Sequence, residues 1–446
     1  MNAFEKYKNA MKRYIFSLAL SATSLICFAQ ANISPAKKQS KTIAITGATV
    51  HVGNGTVIEN GTILFGKGKI ISVTANGQVP QDDVLRIVAT GKHIYPGFIA
   101  ATTNLGLTEI EAVKATLDFQ EIGDFNSHIR SIVAYNTDSK VPATLRSNGI
   151  LMAQPTPQGG TVSGSSSVVQ LDAWNWEDAV IKTDDAMHVT WPVTPRFRGG
   201  FGGFGRPQQS PEALAERTQA AIAQLTSFFA EAKAYSEMGK PDVINTRFEA
   251  MKKVFAGNEK LFISADSQKD IVAAVNFAKK FGITPVITGA DEAYLIIDFL
   301  KDNNITLVVK QPHALPNNND DDVNMPYKNA AVLANAGLNV VLSIDGYWQQ
   351  RNLPFMAGTV TAWGLDKEKA LSTITLNAAK AMGVDKTTGS IEAGKDATFF
   401  ISAGDALDMR TNKVEQAFIQ GRDINLDNLH KQLDKKFSDK YAAEKK

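Results

Sequence analysis

Residues 261–310 read LFISADSQKDIVAAVNFAKKFGITPVITGADEAYLIIDFLKDNNITLVVK. Phe262–Ala265 is a short apolar strand, and Ser267 with Asp270 forms a capping box at a helix start. Ile271, Val272, Val275, Phe277 and Ala278 then recur at helical spacing until Gly282 stops the helix. Ile283–Ile287 is the next strand, Asp291–Lys301 the next helix, and Ile305–Val309 the strand after it. Strands alternating with helices through short loops specify a parallel α/β sheet or barrel.

Outward from this unit, Lys328–Ala336 is a helix closed by Gly337, leading into the strand Leu338–Ile344. Upstream, Tyr95–Thr102, Gly149–Gln154, Ser166–Leu171 and Met187–Trp191 raise the strand count to eight. The expected fold class is α/β, with these strands in one parallel sheet or barrel. Residues 194–257 interrupt it: Arg196–Pro207 is a Gly- and Arg-rich mobile loop, and Ser210-Pro211-Glu212 opens a helix running to about Tyr235. Thr42–Val52, Val57–Phe65 and Lys69–Val73 are rich in Ile, Val and Thr with Gly and Asn turns, so the N-terminal region is strand-forming. Residues 426–446 are a charged, helical tail.

The chain has 446 residues, 44% apolar and 21% charged, with 47 basic against 45 acidic side chains. That composition supports a large core and excludes disorder as the main state. It also leaves no general electrostatic footprint for nucleic acid. Lys6, Lys8, Lys12 and Arg13 precede an apolar run from Tyr14 to Phe28 that ends in Ala29-Gln30-Ala31. This pattern reads as a secretory signal peptide over residues 1–31, too short for a transmembrane span, with Met1 or Met11 as the start. The expected destination is the periplasm or the extracellular space. The one cysteine, Cys27, lies in the leader, so the mature chain has no disulfide, thiolate nucleophile or Cys metal site.

Gly200, Gly202 and Gly205 fit a dinucleotide-type G-x-G-x-x-G, but Arg206-Pro207-Gln208-Gln209 follows where a helix would be required. The glycines therefore read as a flexible loop. The histidines are His51, His93, His128, His188, His313 and His430, with no pair two or four positions apart to nucleate a zinc site. His51 and His430 are expected to face solvent. His188 lies in a strand and His313 follows one, and strand C-termini are where α/β barrels place their chemistry. Asp345 closes the apolar strand Val340–Ile344 and is the leading catalytic or ligand position. Trp174 and Trp176 alternate as in a strand, which admits a carbohydrate- or surface-binding role, although core packing is their simpler use.

Three stretches resemble the amidohydrolase superfamily, in its imidazolonepropionase-like or dipeptidase-like branch. Ile45-Thr46-Gly47-Ala48-Thr49-Val50 through Lys69–Val73 is similar to half of that family's β-sandwich. Gly91-Lys92-His93-Ile94-Tyr95-Pro96-Gly97-Phe98-Ile99 is similar to its barrel entry, and Thr375–Lys380 followed by Gly389–Ala397 to its last helix and return strand. The resemblance implies a (β/α)8 TIM-like barrel over 91–386 joined to a small composite β-sandwich from both termini, over 41–90 and 387–425. It also implies a zinc or other divalent metal centre held by a His-x-His pair, a Lys or Glu, two further His and an Asp. At those places this sequence has Thr102 and Asn104, a weakly aligned position near His188, then Ser264 and Thr288; only Asp345 is kept. Zinc wants three or four N, S or carboxylate donors, so a family-standard centre is not expected and no cofactor is assigned.

Two functions follow. One is an exported pseudo-enzyme that binds a small polar organic ligand, as a homo-oligomer or beside a catalytically competent paralogue. The other is a working hydrolase of cyclic amide, N-acyl amino acid or dipeptide C–N bonds, with Asp345 as base and His188 or His313 as acid. In both, Thr102, Asn104, Ser264, Thr288 and Asp345 converge at the barrel's C-terminal mouth, with His188 near them and His313 at the rim.

Overall fold

The computed structural model describes residues 34–79, 83–193, 210–239, 241–316 and 320–444. The leader and the Gly-rich loop inferred from the sequence lie outside these residues.

The N-terminal region forms five strands: β1 (Thr42–His51), β2 (Val57–Gly66), β3 (Lys69–Ala75), β4 (Val84–Val88) and β5 (His93–Pro96). One edge of β1 pairs with β2. Its other edge is divided: Thr42–Thr46 runs parallel to β4, and Thr49–Val50 parallel to β5. Gly47 sits at the fork with φ +82, where an added Cβ would meet the Thr90 Oγ1 at 2.6 Å. Only glycine meets both demands without strain. Near the other end of the chain, β16 (Phe399–Ser402) pairs antiparallel with β5, and β17 (Val414–Ile419) and β18 (Arg422–Asp423) extend the same sheet. Both ends of the described chain therefore share one β-domain. Its core places the Phe65 ring 5.2 Å from Phe399 and 5.1 Å from Phe418, with Ile45, Ile63 and Ile94 fully buried around them.

The barrel has eight staves. They are β6 (Phe98–Thr103), β7 (Ile150–Pro155), the pair β8 (Val162–Ser165) and β9 (Val168–Gln170), then β11 (Ala186–Thr190), β12 (Lys260–Ala265), β13 (Val286–Gly289), β14 (Thr306–Val309) and β15 (Val340–Leu342). The short β10 (Val180–Lys182) pairs with β9 outside the ring. Seven staves are parallel. The third runs the other way, with β9 antiparallel to β7 and β8 antiparallel to β11. A parallel crossover needs a dozen or more residues, and only residues 156–161 separate β7 from β8. At the seam between β15 and β6, Ser343 Oγ donates to the Ala101 carbonyl at 2.9 Å and lies 2.8 Å from Thr102 Oγ1.

The helix Gln268–Lys280 is capped by Ser267, whose Oγ accepts from Asp270 N, and it buries Ile271, Ala274, Val275, Phe277 and Ala278 against the staves. Each large apolar side chain so buried contributes about 1.5–3 kcal/mol. Helices Pro211–Glu237 and Thr246–Phe255 lie in the 194–257 interruption; the first packs on this one, with the Phe229 and Phe277 rings 4.9 Å apart, and the second packs on the first, with the Phe255 ring 6.2 Å from Phe229. The expected helix over Asp291–Lys301 is instead a short 3-10 turn (Ala293–Leu295) and a helix over Ile297–Asp302. Trp176 opens a one-turn helix capped by Asn175, so Trp174 and Trp176 do not share a strand. His51 does not face solvent: its Nδ1 lies 2.7 Å from Glu368, and its ring stacks on Tyr95. No helix among the described residues is long and apolar enough to cross a membrane.

Candidate functional site

Strand periodicity builds the site. Ile99, Met152, Val168, Ala186, Phe262, Val286, Val308 and Val341, one from each stave, form a buried apolar cluster with Ala378 and Met382 of the helix Leu376–Met382. Side chains two positions along a strand share a face. The layer above this floor therefore holds Gln154, His188, Ser264, Thr288, Lys310 and Ser343, and it is polar. A cavity of about 320 Å³ opens over it at the barrel's C-terminal mouth.

Thr102, His188, Ser264, Thr288 and Asp345 all line this cavity. Asn104 and His313 do not. The half-buried Asn104 turns its amide to Thr108 Oγ1 at 3.2 Å, because the chain leaves the stave after Thr103. His313 is exposed: Nε2 meets Thr359 Oγ1 at 3.0 Å and the ring packs on Tyr327, since the loop after β14 carries it outward. Thr102 has φ +46, a left-handed conformation that is an outlier for a β-branched residue. Its N–H donates to Gln154 Oε1 at 3.1 Å, and its hydroxyl is held by Ser343. Strain of this kind persists only where the surroundings over-determine it, as this pair of bonds does.

His188 is the buried member of the site. Burial pushes its imidazole down to about 3, so the ring is neutral at pH 7. Nε2 lies 2.8 Å from Ser166 Oγ, which donates to Asp185 Oδ1 at 2.8 Å, while Gln154 Nε2 donates to Asp185 Oδ2 at 2.7 Å. Burial pushes Asp185 up to about 6, against the pull of its Ser166 and Gln154 hydrogen bonds. With the Ser166 proton committed to Asp185, His188 donates from Nε2, leaving Nδ1 as an acceptor. Asp345 is exposed at the rim; its N–H donates to Gln311 Oε1 at 2.9 Å, and among the described residues its carboxylate has no partner.

Sequence reasoning missed Gln154, Asp185, Ser166 and Lys310. Period-2 spacing from the floor residues Met152 and Val308 would have pointed to Gln154 and Lys310. Nothing in the sequence marks the hydrogen-bond chain behind His188. Among the described residues no three His, Cys, Asp or Glu could hold a metal ion. His188 and Asp345 are the imidazole and carboxylate of the wall, and hydroxyls make up much of the rest, so these donors do not fit a zinc centre.

A sequence model of the amidohydrolase family matches residues 163–424. The chain belongs to the amidohydrolase family. Among its relatives is the imidazolonepropionase of Symbiobacterium thermophilum, 25% identical over 366 residues, which covers 76% of this chain and 83% of that protein. The imidazolonepropionase of Flavobacterium psychrophilum is 31% identical over 112 residues, covering 23% of this chain and only 27% of that protein. An amidohydrolase structure from Thermotoga maritima superposes with a TM-score of 0.71 at 22% identity, covering 85% of this chain and 99% of that one. Molinate hydrolase superposes at 0.55 with 18% identity, over 87% and 95%. These structures share the amidohydrolase fold, a barrel joined to a β-sandwich.

Proposed function

We propose that this amidohydrolase-family protein is an exported ligand-binding member. It takes a small polar organic molecule at the barrel mouth, alone or beside a catalytically competent paralogue, and does not hydrolyse C–N bonds through a metal centre. The observation that carries this reading is the polar layer itself. Where the resemblance to metal-dependent relatives calls for imidazoles, the wall presents the hydroxyls of Thr102, Ser264 and Thr288, and Asn104 turns away. Hydroxyls hydrogen-bond organic groups well and hold divalent cations poorly. Export is supported by the basic head and apolar run that end at Ala31.

The test is metal analysis of the purified mature protein, paired with a screen of cyclic amides, N-acyl amino acids and dipeptides. The expected result is no stoichiometric metal and no turnover. A stoichiometric divalent ion, or hydrolysis at ordinary enzyme rates, overturns the reading. The competing hydrolase reading draws on Asp345 and the neutral His188, two proton-transfer groups on one cavity wall. It requires an activity that Asp345→Asn abolishes.

A further inference from the structure

The electrostatics of the cavity select a ligand class, an inference that rests on the ligand-binding reading above. Lys310 is the cationic side chain on the wall among the described residues, and its Nζ is shared by Asp266 Oδ1 and Asp291 Oδ2, each at 2.9 Å. Two carboxylates hold that ammonium, so its positive charge is already compensated. Asp345 adds a further carboxylate with no partner of its own. His188 brings no positive charge, because burial keeps the ring neutral and its Nε2–H is spent on Ser166. Ser264 and Thr288 make no side-chain hydrogen bond within the described chain, so their hydroxyls are free to accept. Below them, Phe262 and Val308 supply an apolar floor.

We infer that the cavity takes an organic cation, a compact primary ammonium or amidinium carried on an apolar body, with the charged group against Asp345. The ammonium donates to the Asp345 carboxylate and to the Ser264 and Thr288 hydroxyls, and the apolar body lies toward Phe262. An anionic ligand would have to displace Asp266 or Asp291 from Lys310 and face Asp345 unscreened.

The experiment is calorimetric titration of the purified mature protein with benzylamine, benzyl alcohol and benzoate, which share a ring and differ in charge. Benzylamine is expected to bind about threefold to fivefold more tightly than benzyl alcohol, the scale of one rim-exposed charge pair, with benzoate the weakest. Asp345→Asn should erase that preference; the residue is exposed, and an unchanged circular dichroism spectrum confirms the fold. Benzoate binding as tightly as benzylamine, a preference that survives Asp345→Asn, or no binding of benzylamine at millimolar concentration each overturns the inference. A protein that hydrolyses amides yet keeps the benzylamine preference would lose the ligand-binding reading and retain this one.

Discussion

Replacing Asp172 by Asn removes one negative charge from between two positive ones, Arg146 buried and Arg422 partly buried. Its side chain is 1% exposed; Oδ1 lies 2.7 Å from Arg146 Nη1 and Oδ2 lies 2.8 Å from Arg422 Nη1. Oδ2 also accepts from the Ala36 N–H at 2.9 Å. Arg146 is buried as well, and burial pulls its guanidinium below its ordinary range while the Coulomb attraction of Asp172 works against that shift. Breaking a buried ion pair on one side costs about 3–5 kcal/mol, because the surviving charge keeps its desolvation penalty. Here two cations survive, so Asp172→Asn should cost about 4–5 kcal/mol, toward the upper end of that range. Equilibrium urea unfolding followed by tryptophan fluorescence measures it. The triple variant Asp172→Leu, Arg146→Met, Arg422→Met removes all three charges and should recover more than half of the loss, since apolar replacement of a buried triad is close to neutral. A cost below about 1 kcal/mol for Asp172→Asn would refute the reasoning, because that is the worth of an exposed pair.

Two pH-dependent predictions follow from other buried groups. Glu259 is buried at the barrel's lower end near Asp184 and Asp185, and burial pushes it up to about 8. A carboxyl raised in the folded state loses stability as pH climbs from its unfolded value toward the folded one, so Glu259→Gln should stabilise by roughly 2–4 kcal/mol above pH 8 and by nothing near pH 4. Urea midpoints across that range would show the divergence, and parallel curves would count against it. His188 has the opposite sign for acid: its folded value of about 3 lies below the unfolded 6.5, so its contribution is whole above pH 6.5 and is lost as pH falls toward 3. At pH 5 the loss amounts to about 2 kcal/mol, and His188→Asn should flatten that part of the stability profile; an unchanged acid slope would contradict the burial described for the ring.

Much of this architecture was legible in the chain because strand and helix periods differ. Residues 261–309 show both, and β12, the helix Gln268–Lys280 and β14 fall where the pattern puts them. The direction of the third stave was not legible, since Val168-Val169-Gln170 is equally apolar read either way and only the six-residue link before β8 fixes it. His313 is a site candidate because it follows a strand and Asn104 because the resemblance puts it at a ligand position, and loop geometry carries both away from the cavity. His51 was assigned to solvent from its strand alone; Glu368, more than three hundred residues later, supplies the partner that lets it be buried. Asp185 was invisible for the same reason, because its importance comes from Ser166 and Gln154 on neighbouring staves.

The reversed stave has an architectural consequence. Seven staves bring their C-terminal ends to the mouth, but this one brings its N-terminal end, at Val162 and Ser163. The link from β7 therefore never leaves the upper rim: Thr156, Pro157, Gln158 and Gly159 border the opening, and the Gln158 N–H is pinned to the Phe119 carbonyl at 2.7 Å. An ordinary βα-loop must deliver the chain to a helix on the barrel's flank, which constrains its length. This awning only has to turn back on itself. Gly159 and Gly160, both at positive φ, press against Gln120 and the Gly123 carbonyl, so the aperture on this side is set by how the link packs on residues 119–124 and not by the reach of a helix connection.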